Sequence, residues 1–88
     1  SIKKLAARLN CWIYMPVSNG MGAATLDFHC AYRGRAFLIE AKAPGKRPTP
    51  RQRNTIAAAK ARGVPSFVCD GNIEELELWI LRLKPPAA

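Results

Sequence analysis

The sequence predicts a small α/β domain whose elements run helix, three strands, helix, strand, helix, with a mixed sheet flanked by helices. Two observations favour this fold class. Segments of alternating apolar residues lie on both sides of Arg33-Gly34, which is typical of a β-hairpin. Two later segments begin with helix-capping residues and enclose one short apolar segment. With 88 residues we expect a single domain over 1–84 and a tail over 85–88.

The first helix is predicted over residues 1–10, because its apolar residues have helical spacing. These residues are Ile2, Leu5, Ala6 and Leu9. A short strand, Cys11–Met15, follows and is closed by Pro16. The glycine-containing segment 18–22 has no complete phosphate-binding motif, so a turn is the favoured interpretation over a phosphate cradle.

The hairpin is predicted over Thr25–Lys42. If Arg33 and Gly34 form the turn, counting back along both strands pairs Asp27 with Glu40. Side chains in such a pair have Cβ atoms about 4.5 to 5.5 Å apart, and like charges there are destabilising. A cation between them would reverse that effect.

Lys42 lies two residues after Glu40, so the alternation of a strand returns it to the same face. Two carboxylates and an ammonium group on one face are suited to metal-assisted hydrolysis. The alternative is an exposed ion pair between Glu40 and Lys42, with Asp27 in solvent.

The middle helix is predicted over 50–62, with Thr49 as N-cap, Pro50 in the first turn and Gly63 after its end. Two interpretations of Gln52 remain open. Its spacing from apolar helix residues points it toward the sheet. The pattern Thr49-x-x-Gln52 is also a capping box, in which the amide binds the backbone of Thr49.

A strand over 64–70 and a helix capped by Asn72 complete the chain. The last helix is apolar on more than one side. One stripe contains Ile73, Leu76, Ile80 and Leu83, whereas a second set contains Leu78, Trp79 and Leu81. The second set predicts a partner surface, with a second copy of the chain as first candidate.

Positive charge is concentrated in the middle of the sequence. Residues 33–62 contain nine basic residues and one acidic residue, whereas five of each occur elsewhere, which gives the net charge of +8. A surface of this kind favours nucleic acid. The alternative, a solubilising surface, usually mixes both signs.

The remaining chemistry-bearing residues have structural interpretations. Cys11, Cys30 and Cys69 are widely spaced, without a disulfide or zinc pattern, and are predicted to be buried in strands. Trp12, Tyr14 and Phe37 are predicted to belong to the core. His29 shares the face of Asp27 and could contact metal or DNA, but a structural role is favoured. We find neither a membrane-spanning segment nor a signal-peptide pattern, so we expect a soluble cytoplasmic protein.

The order of elements, with an acid at the second strand and Glu-x-Lys at the third, resembles the PD-(D/E)XK nuclease superfamily. The VRR-NUC domain is the narrower resemblance, over roughly residues 1–83. The segments that carry it are Gly22, Asp27-Phe28, Ile39–Pro44, Thr49–Gln52 and Gly63-Val64. The resemblance implies a restriction-endonuclease-like core.

It also implies site residues. Asp27, Glu40 and the backbone carbonyl of Ala41 would hold Mg²⁺ or Mn²⁺, Lys42 would position or activate the attacking water, and Gln52 would support the site. Two departures occur. Leu26 replaces the motif's proline, which carries no ligand atom. The glutamate that members often place in the first helix has no counterpart, since residues 1–16 contain no acid.

The function implied is a metal-dependent, structure-specific endonuclease that hydrolyses phosphodiester bonds in branched DNA, such as four-way (Holliday) junctions. Stand-alone members come from phages and bacteria and resemble nucleases that act as homodimers on four-way junctions. The resemblance therefore implies a homodimer, in the cytoplasm of a bacterial or phage-infected cell. The predicted DNA-binding residues are Arg33, Arg35, Lys46, Arg47, Arg51 and Arg53. The alternatives are a basic DNA-binding module without catalysis and a restriction-type endonuclease.

Overall fold

The computed structural model describes residues 1–16 and 26–85, which form an α/β domain with one four-stranded sheet and three helices. The elements are α1 (Ile2–Arg8), β1 (Trp12–Tyr14), β2 (Phe28–Tyr32), β3 (Arg35–Ala41), α2 (Pro50–Ala61), β4 (Ser66–Cys69) and α3 (Ile73–Leu81). Their predicted order is confirmed. The glycine segment 18–22, the start of the hairpin at Thr25 and the tail beyond Pro85 lie outside the described residues.

The sheet has the order β1-β2-β3-β4 and is mixed, as predicted. Neighbouring strands are antiparallel except β3 and β4, which are parallel and are joined through α2. The hairpin turn has φ of 49° at Arg33 and 80° at Gly34. Positive φ at both central residues matches the twist of two-residue hairpins. The turn pairs Tyr32 with Arg35 and, four steps further, Phe28 with Ile39, which confirms the predicted register.

The hydrophobic core lies on one face of the sheet, beneath α1 and α3. Its buried members are Leu5, Phe28, Cys30, Phe37, Ile39, Cys69, Leu76 and Ile80. Side chains alternate along a strand, so the neighbours of Phe37 and Ile39 in β3, including Glu40, point to the opposite face. Helix α2 lies on that second face and has no buried residue of its own. The second face is therefore only partly covered.

Trp79 is half-buried and packs against the core, so the prediction that it lies off the core-facing side of α3 is wrong. Its ring contacts Phe37 and Phe67, with centroids 5.6 Å and 5.2 Å apart. Only Leu78 and Leu81 of the second apolar set remain exposed, at 51% and 48%. The helical positions did not distinguish Trp79 from them, because a large ring reaches core side chains from the edge of the buried stripe.

The cysteine prediction is correct for two of the three residues. Cys30 and Cys69 are buried in strands, and burial raises the pKa of Cys30 to about 12. Cys11 is only partly buried and precedes β1, so its assignment to a strand is wrong. Its backbone N–H donates to the carbonyl of Ala6 at 2.8 Å, so Cys11 belongs to the turn that ends α1.

Helices α1 and α3 are joined by an ion pair between Arg8 and Glu77. The hydrogen bond from Arg8 lowers the pKa of Glu77.

Within residues 1–16 and 26–85, no helix has both the length and the apolar character needed to cross a membrane.

Candidate active site

Asp27 and Glu40 lie opposite each other, and each carboxylate accepts a backbone N–H from the opposite segment. The backbone N–H of Asp27 donates to Glu40 Oε1 at 3.1 Å, and the N–H of Ala41 donates to Asp27 Oδ2 at 3.0 Å. Asp27 itself is in a bend immediately before β2. At this open end of the hairpin the two carboxylates therefore satisfy backbone donors. The predicted juxtaposition of the acids is confirmed.

Gln52 combines both of its predicted roles. Its side-chain Oε1 accepts the backbone N–H of Thr49 at 2.9 Å, while Thr49 Oγ1 accepts the N–H of Gln52 at 3.2 Å. The other end of the amide, Nε2, donates to Glu40 Oε2 at 2.6 Å. The capping box and the contact with the acid pair are thus compatible, because they use opposite ends of one amide.

Lys42 reaches the same carboxylate oxygen. Its Nζ lies 3.7 Å from Glu40 Oε2, and its side chain is 18% exposed. The backbone N–H of Lys42 donates to the carbonyl of Cys69 at 2.8 Å, which fixes this position against β4. The ammonium group therefore lies on the face predicted from the alternation of the strand.

Glu40 is the one charged residue that is buried among those the structure describes, with 2% of its surface exposed. Burial raises its pKa, and the negative charge of Asp27 raises it further. The hydrogen bond from the backbone of Asp27 and the charge of Lys42 act in the opposite direction. A buried carboxylate of this kind needs donors or a cation to remain ionised.

The acid pair is chemically suited to one hard divalent cation. Mg²⁺ prefers oxygen ligands, keeps several waters and is often bound through one or two carboxylates. Asp27 and Glu40 provide two, and Ala41 follows directly with a backbone carbonyl. Burial and, after it, repulsion by Asp27 raise the pKa of Glu40, and a bound cation would relieve that repulsion. Over the described ranges, no group of three or more His, Cys, Asp or Glu residues could form a larger site.

Four of the predicted DNA-binding residues follow the acid pair along the chain. Lys46 and Arg47 lie in the loop after Lys42, whereas Arg51 and Arg53 lie in the first turns of α2, and all four are exposed. Arg53 donates to the carbonyl of Pro48 at 2.9 Å, which braces the loop. This basic loop and helix start are anchored to the acid pair through Gln52.

Arg33 and Arg35 lie elsewhere. They are at the turn end of the hairpin, and β3 rises about 3.3 Å per residue, which separates Arg35 from Glu40 by roughly 16 Å. Arg35 also points to the opposite face of the sheet. With Tyr32, Arg33 and Leu81 it lines a small cavity, and its Nε is buried without a hydrogen-bond partner among the described residues. The structure therefore does not bring these two arginines to the acid pair.

Trp12 and Tyr14 are not core residues, so their predicted burial is wrong, whereas Phe37 is buried at 1% exposure. The two rings are 59% and 52% exposed, near-parallel at 13°, with centroids 6.1 Å apart. The alternation Trp-Ile-Tyr contained this signal, because it separates both rings from Ile13, which packs against the core. The alternation does not reveal that β1 is an edge strand, which is why the exposure of the two rings was missed.

His29 shares the face of Asp27, as expected from their spacing. Tyr14 is its partner in β1, and the two rings meet edge to face with centroids 6.3 Å apart. His29 is in turn paired with Leu38, two residues before Glu40. The exposed rings and the acid pair therefore lie on one continuous face.

Comparison of the chain with protein-family models, with curated proteins and with solved structures gives no match.

Proposed function

We propose that the chain is a metal-dependent DNA endonuclease that hydrolyses phosphodiester bonds. The observation that supports this most is the buried Glu40, which interacts at once with the backbone N–H of Asp27, with Gln52 and with Lys42. Ionisable residues perturbed by burial and by a like charge cluster at functional sites. Within the PD-(D/E)XK superfamily, the VRR-NUC family is the one that this constellation favours.

Each residue has a distinct part in the proposal. Asp27, Glu40 and the carbonyl of Ala41 hold Mg²⁺ or Mn²⁺, which when bound would neutralise developing phosphoryl charge and lower the pKa of a water. Lys42 places a positive charge beside the reacting phosphate, where charge grows in the transition state. Gln52 keeps Glu40 in place through the 2.6 Å contact.

The basic loop and helix start supply affinity for the DNA backbone. Lys46, Arg47 and Arg51 are exposed and follow the acid pair along the chain, which supports their contact with phosphates near the cut. Phosphate contacts position a protein on DNA without reading sequence. Recognition would then depend on the shape of the DNA, and we propose a branched substrate such as a four-way junction, cut by a homodimer.

A basic DNA-binding module without catalysis is the second candidate. Gln52 and Lys42 already compensate Glu40 without a metal, and the described residues contain no third acidic ligand. In this alternative the acid pair only closes the open end of the hairpin, where both carboxylates accept backbone N–H groups.

Cleavage assays separate the two candidates. Labelled duplex, flap and four-way-junction DNA are incubated with Mg²⁺, with Mn²⁺ and with chelator. An Asp27→Asn protein purified in parallel controls for contaminating nucleases. Metal-dependent cuts by the wild type alone support the endonuclease. Binding without cutting, in every metal, would favour the non-catalytic module.

A further inference from the structure

The only aromatic side chains that are more than half exposed in the described chain are Trp12 and Tyr14. Exposing two such rings is unfavourable for a small domain, since each could bury a large apolar area. The sequence contains seven aromatic residues of the Phe, Trp and Tyr types, and the other five are buried or half-buried. The exposure is therefore specific to this face of β1.

The strand register places these rings beside the acid pair. Tyr14 pairs with His29, and His29 follows Asp27 by two residues, which is one step along the same face of the sheet. Strand spacing and rise then put Tyr14 on the order of 8 Å from Asp27, and Trp12 on the order of 14 Å away, between Cα atoms. A nucleic-acid strand that runs from a phosphate at Asp27 along this face toward β1 would pass over both rings.

Over the part of the chain that the structure describes, this face is open beside the rings. Along β3 the side chains on the acid-pair face change from buried at Glu40 to half-buried at Leu38 and exposed at Ala36. Helix α2 contacts Glu40 through Gln52 and also contacts β4, which is the edge strand opposite β1. Among residues 1–16 and 26–85, α2 therefore does not cover the rings, which leaves them accessible to a flat ligand.

Charge selects the ligand. The chain carries a net charge of +8, and its basic excess lies in the segment that also contains Glu40 and Lys42. A flat, apolar ligand attached to a polyanion is a nucleobase of an unpaired strand, because paired bases hide their faces in the stack. Aromatic stacking is a common, sequence-tolerant way to bind such bases.

We propose that Trp12 and Tyr14 form a stacking surface for unpaired nucleobases, so that the preferred substrate has single-stranded nucleotides next to the scissile phosphate. The substrate preference rests on the proposed nuclease function, whereas the stacking of bases does not require cleavage. Among the branched substrates of the proposed function, it ranks flap or splayed DNA above a fully paired four-way junction, and both above continuous duplex.

Binding is tested in chelator, where no cleavage occurs. The fluorescence of the two tryptophans is followed during titration with a single strand, with a duplex, and with an abasic strand of equal length and charge. We expect quenching by the normal single strand only, because Trp12 is exposed and Trp79 is packed on Phe37 and Phe67. Equal quenching and affinity with the abasic strand would overturn the proposal.

Two substitutions separate signal from affinity, measured by anisotropy of a labelled strand. Trp12→Phe should remove the quenching while keeping affinity within about twofold, because a phenyl ring still stacks. Trp12→Ala should weaken single-strand binding roughly 5- to 100-fold, with duplex binding little changed. Unchanged single-strand affinity in Trp12→Ala contradicts the proposal.

The outcome is independent of catalysis. Quenching without metal-dependent cleavage of any substrate would leave the stacking surface in place and remove the endonuclease. Cleavage with no difference between Trp12→Ala and wild type, on flap and duplex alike, would do the reverse.

Discussion

Gln52 donates its side-chain amide to the buried carboxylate of Glu40 at 2.6 Å, and the oxygen of the same amide accepts the backbone N–H of Thr49. Because Thr49 occupies the oxygen, the amide cannot turn and present it to Glu40 without losing the cap. The N-terminus of α2 therefore fixes the donor that compensates the acid pair.

This relationship predicts the effect of Gln52→Glu. The new carboxylate can still accept the N–H of Thr49, but it faces Glu40 Oε2 without a donor. In chelator, we expect the free energy of unfolding to be about 1 to 3 kcal/mol lower than that of the wild type, as when a buried polar group loses its hydrogen-bond partner. Denaturant titration measures this. Thr49→Ala is the matched control, with a loss of about 1 kcal/mol from the cap alone. A Gln52→Glu protein as stable as wild type would show that the contact is unimportant.

Asp27→Asn tests the acid pair as a metal site. The substitution relieves repulsion of Glu40, and the Asn oxygen can still accept the N–H of Ala41, so the metal-free protein should be as stable as wild type or slightly more so. Mn²⁺ should raise the melting temperature of the wild type by binding the folded state, and should not raise that of the variant. Equal melting shifts in the two proteins would remove Asp27 from the metal site.

Local signals in the sequence predicted most of this site. A two-residue turn fixed the register that joins Asp27 with Glu40, and strand alternation placed Lys42. Capping rules placed the start of α2, and with it Gln52. These relationships need only a few neighbouring residues and ideal geometry.

The wrong predictions for Trp12, Tyr14 and Trp79 concern contacts between distant segments, whereas the position of Arg35 follows from local strand geometry. Trp12 and Tyr14 are exposed because β1 is at one edge of the sheet, whereas α2 contacts β4 at the opposite edge. Trp79 is half-buried because Phe37 and Phe67 are within reach of its ring. Arg35 points away from Glu40 because residues an odd number apart in a strand face opposite sides. That last relationship was available from the sequence.

The raised pKa of Glu40 predicts a pH dependence of stability. Between its ordinary value of 4.5 and the higher value in the folded protein, the folded state binds more protons than the unfolded state. The unfolding free energy should therefore be highest with respect to Glu40 below pH 4.5, fall as the pH rises through the folded pKa, and then level off. Asp27→Asn removes one cause of the shift, so its fall should be smaller. Chemical denaturation of both proteins in chelator between pH 4 and 8 is the measurement. Parallel curves would show that Asp27 does not affect Glu40.

Lys42 and the basic loop should have separable effects. Lys42→Ala should lower the cleavage rate by about 10²-fold or more, as for the loss of a group that stabilises transition-state charge, with little change in DNA affinity. Arg47→Ala or Arg51→Ala should weaken binding and reduce the salt slope by roughly one counterion per lost phosphate contact. Arg82→Ala, exposed at the end of α3, is the control for a general charge effect. Normal cleavage by Lys42→Ala would contradict its role.

The proposed homodimer can be tested on the exposed side of α3. A four-way junction offers two equivalent strands to cut, and a two-fold dimer repeats the active site in the matching arrangement. Leu78 and Leu81 are the exposed apolar residues of α3, and Trp79 is unsuitable for the test because it packs on the core.

Replacing Leu78 and Leu81 together with serine should therefore give a folded monomer that binds junctions more weakly and loses paired incisions. Met15→Ser is the matched control, since Met15 is 50% exposed and lies outside α3. Light scattering should give twice 9.7 kDa for the wild type and for the control, and 9.7 kDa for the double variant. A wild-type protein that is monomeric at micromolar concentration and still makes paired cuts would rule out the dimer, because one copy with one acid pair would then suffice for both strands.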